Sequence, residues 1–298
     1  MNRRQFISKS AAALALGSIA GSIGCAGNEK QRRIGIQLYS VRNDLPNDFE
    51  GVLKKLSEIG FSSVETYGFN GERFGRPFGN RTMQEVDAIV RELGMSISGS
   101  HCSSRILPEN TNAPEWDYWK KCADQLKSVG AKWIVQSTLP QGNDVNTIDD
   151  LMRISAHFNR VGEICRQSDM RFGFHTHRDV FDKIDDEIVI EYIIKNTDSG
   201  LFSVQLDMGH VVNGGGDIMY LLRTYPGRIP MWHASDYHAT NRVYTNLGQG
   251  SVPYREMFAL PRTARLEYLT VEQELTGDIF ALLKSDFDYI KQFRWTRV

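Results

Sequence analysis

The chain has 298 residues, 41% of them hydrophobic and 24% charged, with a formal net charge of −1. That composition belongs to a globular protein with core enough to fold without staples, and a slightly acidic balance argues against a general nucleic-acid binder, which needs a basic surface. None of the 4 cysteines forms a CxxC pair, so neither a zinc ribbon nor a redox pair is indicated.

The first 24 residues differ in kind from the rest. MNRRQFISKS opens on paired arginines, and AAALALGSIAGSIG follows, small, apolar and free of acids. A charged start, a short apolar middle and a small-residue end predict an export signal over residues 1–24. Arg3-Arg4 followed by Phe6 resembles the twin-arginine type. Cys25 stands where a lipoprotein signal would place its acylated cysteine, which would tether the protein to a membrane. Ser22, three residues before it, departs from the usual Leu. Residues 25–32 read as a polar linker. Loss of residues 1–24 removes Arg3, Arg4 and Lys9 and no acid, which moves the net charge from −1 to −4. The expected address is exported, periplasmic or envelope-attached.

From Arg33 onward, apolar runs alternate with amphipathic segments. RIGIQLYS predicts a strand, and NDFEGVLKKLSEIG a helix with Phe49, Val52, Leu53, Leu56 and Ile59 on one face and Gly60 as its stop. SSVETYG and RTMQEVDAIVRELG repeat the pair, as do MSISGSH with PEWDYWKKCADQLKSVG. KWIVQST precedes a long helix over 147–167. MRFGFHTH precedes a helix written DDEIVIEYIIKN, and LFSVQLD precedes a glycine-rich loop and the helix DIMYLLRTY. GRIPMWHAS is followed by a long loop and a weak helix near 254–260. RLEYLTVEQE and GDIFALLKSDFDYIKQF close the series. Eight alternating units predict parallel strands joined by right-handed crossovers, and over 33–298 they have the size of a single (β/α)8 barrel domain. An open doubly wound sheet would carry GxGxxG after its first strand; YSVRNDLP stands there instead.

Barrel active sites lie where the strands end. In strand order those ends offer Gln37, Tyr39 and Arg42; Glu65; His101; Gln136; His175 and His177; Asp207 and His210; His233 and Asp236; Glu272, Gln273 and Glu274. Five histidines and several acids at one mouth suit one divalent cation, Mn, Zn, Co or Fe. Each has a blander reading. A single histidine at a strand end is more often a hydrogen-bonded rim residue, and Asp207 could cap the following turn. Arg42, Arg105 and Arg242 fall in rim loops, where they could bind substrate or form surface ion pairs. Trp116, Tyr118, Trp119 and Trp133 suit the core better than a sugar platform.

The stretches IGIQLYSVR, FGFHTH, VQLDMGH, MWHASD, LGQGSVPY and TVEQE, in this order, resemble the xylose-isomerase-like sugar isomerase/epimerase family, which also holds relatives of endonuclease IV. The resemblance implies a divalent metal held by an acid from strand 5, an Asp from strand 6, a His from strand 7 and a Glu from strand 8. The last three fall on Asp207, His233 and Glu272. Strand 5 departs from the pattern, with His175 where relatives place a Glu; His177 and Asp182 are further candidates. The strand-7 Lys of many relatives is absent.

The implied chemistry is proton transfer beside a carbonyl of a small carbohydrate, with Glu272, His177 or His101 as base and acid. Gln37, Tyr39, Arg42, Gln136, His210 and Arg242 are expected to bind substrate. An isomerase or epimerase is the leading reading. A lyase, dehydratase or keto-glycoside-cleaving enzyme could use the same apparatus by β-elimination. An endonuclease-type hydrolase would need several metals and a basic groove. A non-catalytic sugar-binding barrel would explain the missing strand-5 Glu.

Overall fold

The computed structural model describes residues 34–104, 114–139, 145–260 and 265–294. The expected export signal, the linker, Cys25 and Arg105 lie outside the described residues.

Eight parallel strands close into a barrel: β1 (Ile34–Gln37), β2 (Ser63–Tyr67), β3 (Ser96–Cys102), β4 (Trp133–Gln136), β5 (Arg171–His175), β6 (Ser203–Asp207), β7 (Met231–Ala234) and β8 (Tyr268–Val271). Each pairs with its neighbours in sequence, and β1 closes on β8 through Ile34–Leu269, Gly35–Thr270 and Ile36–Val271. Alternation divides every strand. Val204 and Leu206 of β6, like Ile134, Phe172 and Phe174, face the helices; Trp133, Val135 and Met231, with Tyr268 packed on them, fill the base of the barrel. Gly173 makes room there, since a Cβ on it would stand 2.6 Å from the Met231 methyl. One bulge breaks the alternation. Val64 pairs with Ile97 and Glu65 with Gly99, so Ser98 is left over, and β3 is re-aimed to bring His101 inward.

The outer layer contains α1 (Phe49–Ile59), α2 (Met83–Glu92), α3 (Pro114–Ser128), α4 (Ile148–Gln167), α5 (Val189–Lys195), α6 (Met208–Asn213), α7 (Ile218–Thr224), α8 (Tyr254–Phe258) and α9 (Ile279–Ile290). Local capping starts four of them: Thr82 with Glu85 and Thr147 with Asp150 form capping boxes, and Asp48 and Asp278 cap α1 and α9. On α4, Phe158 stacks on Phe202 (5.3 Å, 9°) and touches Phe172 and Phe174. Truncating such a ring typically costs about 3–5 kcal/mol, which is what fixes the helix to its strands.

Two expectations are corrected. DDEIVIEYIIKN is helical only from Val189. Its first half turns back on Lys183–Ile184 as a hairpin with Glu187–Ile188, and Asp185 takes φ +52°, a left-handed conformation no helix contains. The loop after β7 begins as a second hairpin, Asp236–His238 with Val243–Thr245. Buried Asp236 then holds the segment LGQGSV by accepting from the backbone N–H groups of Gly248, Gly250 and Val252 at 2.8–3.2 Å. A Cβ on Gly250 would stand 2.1 Å from the Asp236 carboxylate, so the glycine is required by that approach.

Candidate metal centre

The ends of β5, β6, β7 and β8 carry the central groups. His175, Asp207 and His233 are inward-facing residues of their strands, and Glu272 directly follows β8, its N–H bonded to the Ala234 carbonyl at 3.0 Å. All four are buried, and one ligand atom from each lies within 4.8 Å of the others. Two carboxylates and two imidazoles so placed are a donor set for a borderline divalent cation, and the residues fit such an ion.

The charges explain why an ion suits the place. Burial, and the Glu272 charge beside it, push the Asp207 carboxyl up to about 6. Burial, and the imidazoles around it, hold His175 well below the ordinary histidine value, so it is neutral, as a ligand must be. Burial alone would lower His233. It donates instead from Nδ1 to Glu272 and from Nε2 to Glu65, both at 2.6 Å, and the two carboxylates raise it to about 10. Burial likewise opposes the ionised forms of Glu65 and Glu272, but His101 and His233 keep the first well below the usual carboxylate range and His233 lowers the second.

Besides its place in the cluster, Asp207 caps the turn that follows it. Its Oδ1 caps α6 by accepting from the His210 N–H at 2.8 Å and accepts from the Ser235 hydroxyl at 2.6 Å. The cap turns the chain so that His210 comes over the mouth beside His177, their ring centres 4.8 Å apart. His177 directly precedes the turn Arg178–Phe181 without a side-chain capping bond and stands 4.8 Å from the His175 ring. Burial lowers both outer histidines, leaving neutral bases. The Tyr244 hydroxyl meets His210 Nδ1 at 2.7 Å.

Other expected site residues are placed differently. Asp182 is away from the cluster, 59% exposed at its side chain and paired with Arg178. Gln136 faces outward on β4 and donates to the Ser104 and Thr138 carbonyls, because Trp133 and Val135 take the inward positions. Gln37 is buried with both ends of its amide engaged, donating to Glu65 and accepting from the Tyr39 N–H. His101 lies in the floor, its Nε2 on Gln205 at 2.8 Å and 3.3 Å from Glu65. Tyr39 is 43% exposed at the rim, with the Arg42 guanidinium 4.4 Å above its ring. Arg242 sits in the exposed turn of the second hairpin at φ +58°. Sequence reasoning placed Glu65 at the mouth without a role and passed over Gln205, whose signal was its place two residues before Asp207 on the same strand face.

Comparison with known proteins agrees with this fold. The sequence pattern of the xylose isomerase-like TIM barrel matches residues 53–295. An inosose dehydratase of Lactiplantibacillus plantarum is 24% identical over 272 residues, which cover 84% of this chain and 86% of that protein. Among solved structures, a sugar phosphate isomerase/epimerase from Parabacteroides distasonis is 25% identical with a TM-score of 0.74, covering 87% of this chain and 93% of that one. An L-ribulose 3-epimerase shares the fold, at 16% identity and a TM-score of 0.68 over 87% of this chain and 93% of its own. With the pattern matched from α1 to past the end of α9, over the closed eight-stranded barrel seen here, the chain belongs to the xylose isomerase-like TIM barrel family.

Proposed function

We propose that the protein is a metal-dependent lyase that removes water from a polyhydroxy ketone, a keto-inositol or keto sugar. The observation that carries this reading is the one-sided placement of its free bases. Neutral His177 and His210 stand side by side over β5 and β6, and His175 occupies the strand-5 position where a second carboxylate would serve an epimerase. Epimerisation returns a proton to the opposite face of the carbon and needs a group there. Elimination can be served from one side: an imidazole takes the proton next to the carbonyl, the electron pair expels the hydroxyl of the neighbouring carbon, and the imidazolium returns its proton to the departing oxygen, which leaves as water. A cation held by His175, Asp207, His233 and Glu272 would supply carbonyl polarisation when bound. Tyr39 and Arg42 form a rim on which the sugar hydroxyls can rest. The relatives named inosose dehydratases support the same class.

The isomerase or epimerase reading stands second, favoured by the 25% identical sugar phosphate isomerase/epimerase. Incubation of Mn²⁺- or Co²⁺-loaded protein with a keto-inositol and a panel of keto sugars, read by mass spectrometry in D₂O, separates the readings. A product that has lost one water is expected. An isomer that gains deuterium without losing water would favour the second reading, and binding without exchange would indicate a non-catalytic barrel. His177→Ala and His210→Ala are expected to keep the cation and to lose about 10²–10⁴-fold in turnover between them. Export directed by residues 1–24, with Cys25 as a lipid attachment point, completes the proposal and is supported by the composition of that segment.

A further inference from the structure

Two buried residues under the cation site neither belong to its ligand set nor reach the rim. Glu65 accepts at Oε1 from Gln205 Nε2 (2.7 Å), and at Oε2 from Gln37 Nε2 (2.8 Å) and His233 Nε2 (2.6 Å). The direction of the first bond decides the rest. A carboxylate only accepts, so the Gln205 amide must turn its NH₂ toward Glu65 and its carbonyl oxygen away. That oxygen meets His101 Nε2 at 2.8 Å and His175 Nδ1 at 3.1 Å. An acceptor oxygen selects rings that carry a proton on the nitrogen facing it, and a neutral imidazole protonated on one nitrogen presents a bare lone pair on the other. His175 thus presents Nε2, which lies 3.8 Å from Glu272 Oε2. His233 keeps its Nε2 proton on Glu65 and points Nδ1 toward the same oxygen at 2.6 Å, so it is the Nδ1 proton that must leave when a cation binds. The two nitrogens meant for the cation converge on one carboxylate atom from two strands.

We infer that Glu65 and Gln205 form a positioning platform that fixes the tautomers of both imidazole ligands: Glu65 acts directly on His233, and through the Gln205 amide on His175. The inference rests on the reading of His175, Asp207, His233 and Glu272 as a cation site. It deepens that reading, because a histidine ligand is held in register by the partner on its other nitrogen. Here one buried carboxylate serves two ligands. Neither residue touches substrate; both are positioning residues.

The test begins with wild-type, metal-free protein. Long-range ¹H–¹⁵N spectra of its histidines should show His175 as the Nδ1–H tautomer. The same protein is then titrated with Co²⁺, alongside Glu65→Gln and Gln205→Met, with thermal unfolding recorded for each. The platform predicts Co²⁺ affinity about 10–100-fold weaker in both variants, an altered visible Co²⁺ spectrum, and mixed His175 tautomers in Gln205→Met. An Nε2–H tautomer at His175 in the wild type overturns the inference, whether or not either variant folds. Wild-type affinity and spectrum in both folded variants overturn it as well. A wild type that takes up no Co²⁺ refutes the cation site instead, and the tautomer measurement still decides on the platform.

Discussion

Asp207 caps α6 with its carboxylate and, under the proposed function, also lends its charge to a cation. Its Oδ1 holds the first turn of α6 and the Ser235 hydroxyl, which a neutral amide oxygen could also do. Its charge has no such substitute, and in the metal-free barrel that charge is a burden. Burial and Glu272 raise the carboxyl to about 6 against 3.8 in the unfolded chain. Ionisation above pH 6 therefore costs the metal-free fold on the order of 3 kcal/mol, and the cost fades as pH falls from 6 toward 3.8, where the folded form is protonated first. Asp207→Asn keeps the cap and removes the charge. It is expected to melt above the wild type at pH 8 when both are metal-free, and to hold no ion when metal is supplied. Asp207→Ala should lose the ion and, in addition, about 1 kcal/mol for the missing cap. Calorimetry at pH 8 with metal analysis measures both effects; a metal-free Asp207→Asn that melts below the wild type would show that the carboxylate is stabilised by something other than a cation.

Among the elements, α4 carries a group that the site does not use. His157 is 2% exposed, neither ring nitrogen has a hydrogen-bond partner among the described residues, and the rings of Trp116 and Phe158 lie beside it. Burial lowers it to about 4, from an ordinary 6.5. Below pH 6.5 the unfolded chain takes up a proton that the folded one refuses until about pH 4, so stability falls across that window by up to about 3 kcal/mol and levels off beneath it. In His157→Leu this share of the loss should vanish, and the difference in unfolding free energy, measured by denaturant at pH 7, 5.5 and 4, should shift in the variant's favour by up to about 3 kcal/mol as the pH drops. A constant difference would contradict it. The same helix shows what was readable beforehand. Its capping box, apolar face and length all follow from local spacing, as does the order of strands, and so the fold and the four convergent residues were legible. The hairpin at 183–188 was not, since nothing in KIDDEI marks the left-handed Asp185, and its acids also suit the first turn of a helix. Nor was the role of Glu65, which depends on a bond to a histidine 168 positions away. Gln37 and Gln136 were read by place alone: one is tied into the floor and the other faces the helices.

For the molecule as a whole, the cation site and the proposed export route constrain each other. His175, Asp207, His233 and Glu272 come from four successive strands, so half the barrel must be assembled before the four donors meet. Ion binding to the folded form alone then adds to stability, about 2.7 kcal/mol when the free ion is at 100 times its dissociation constant. A twin-arginine signal is read by machinery that carries folded proteins, so the barrel would close, and take its metal, before leaving the cytoplasm. A segment read in an unfolded state would instead deliver the four donors apart, to be loaded from whatever metal the outer compartment holds. Replacing Arg3 and Arg4 together by Lys is expected to retain the protein in the cytoplasm, folded and carrying the same metal in the same amount as the exported wild type. Cell fractionation followed by metal analysis of both pools checks this. Equal export of the double variant would remove the twin-arginine reading, and a retained pool that is folded but metal-free would place loading after export.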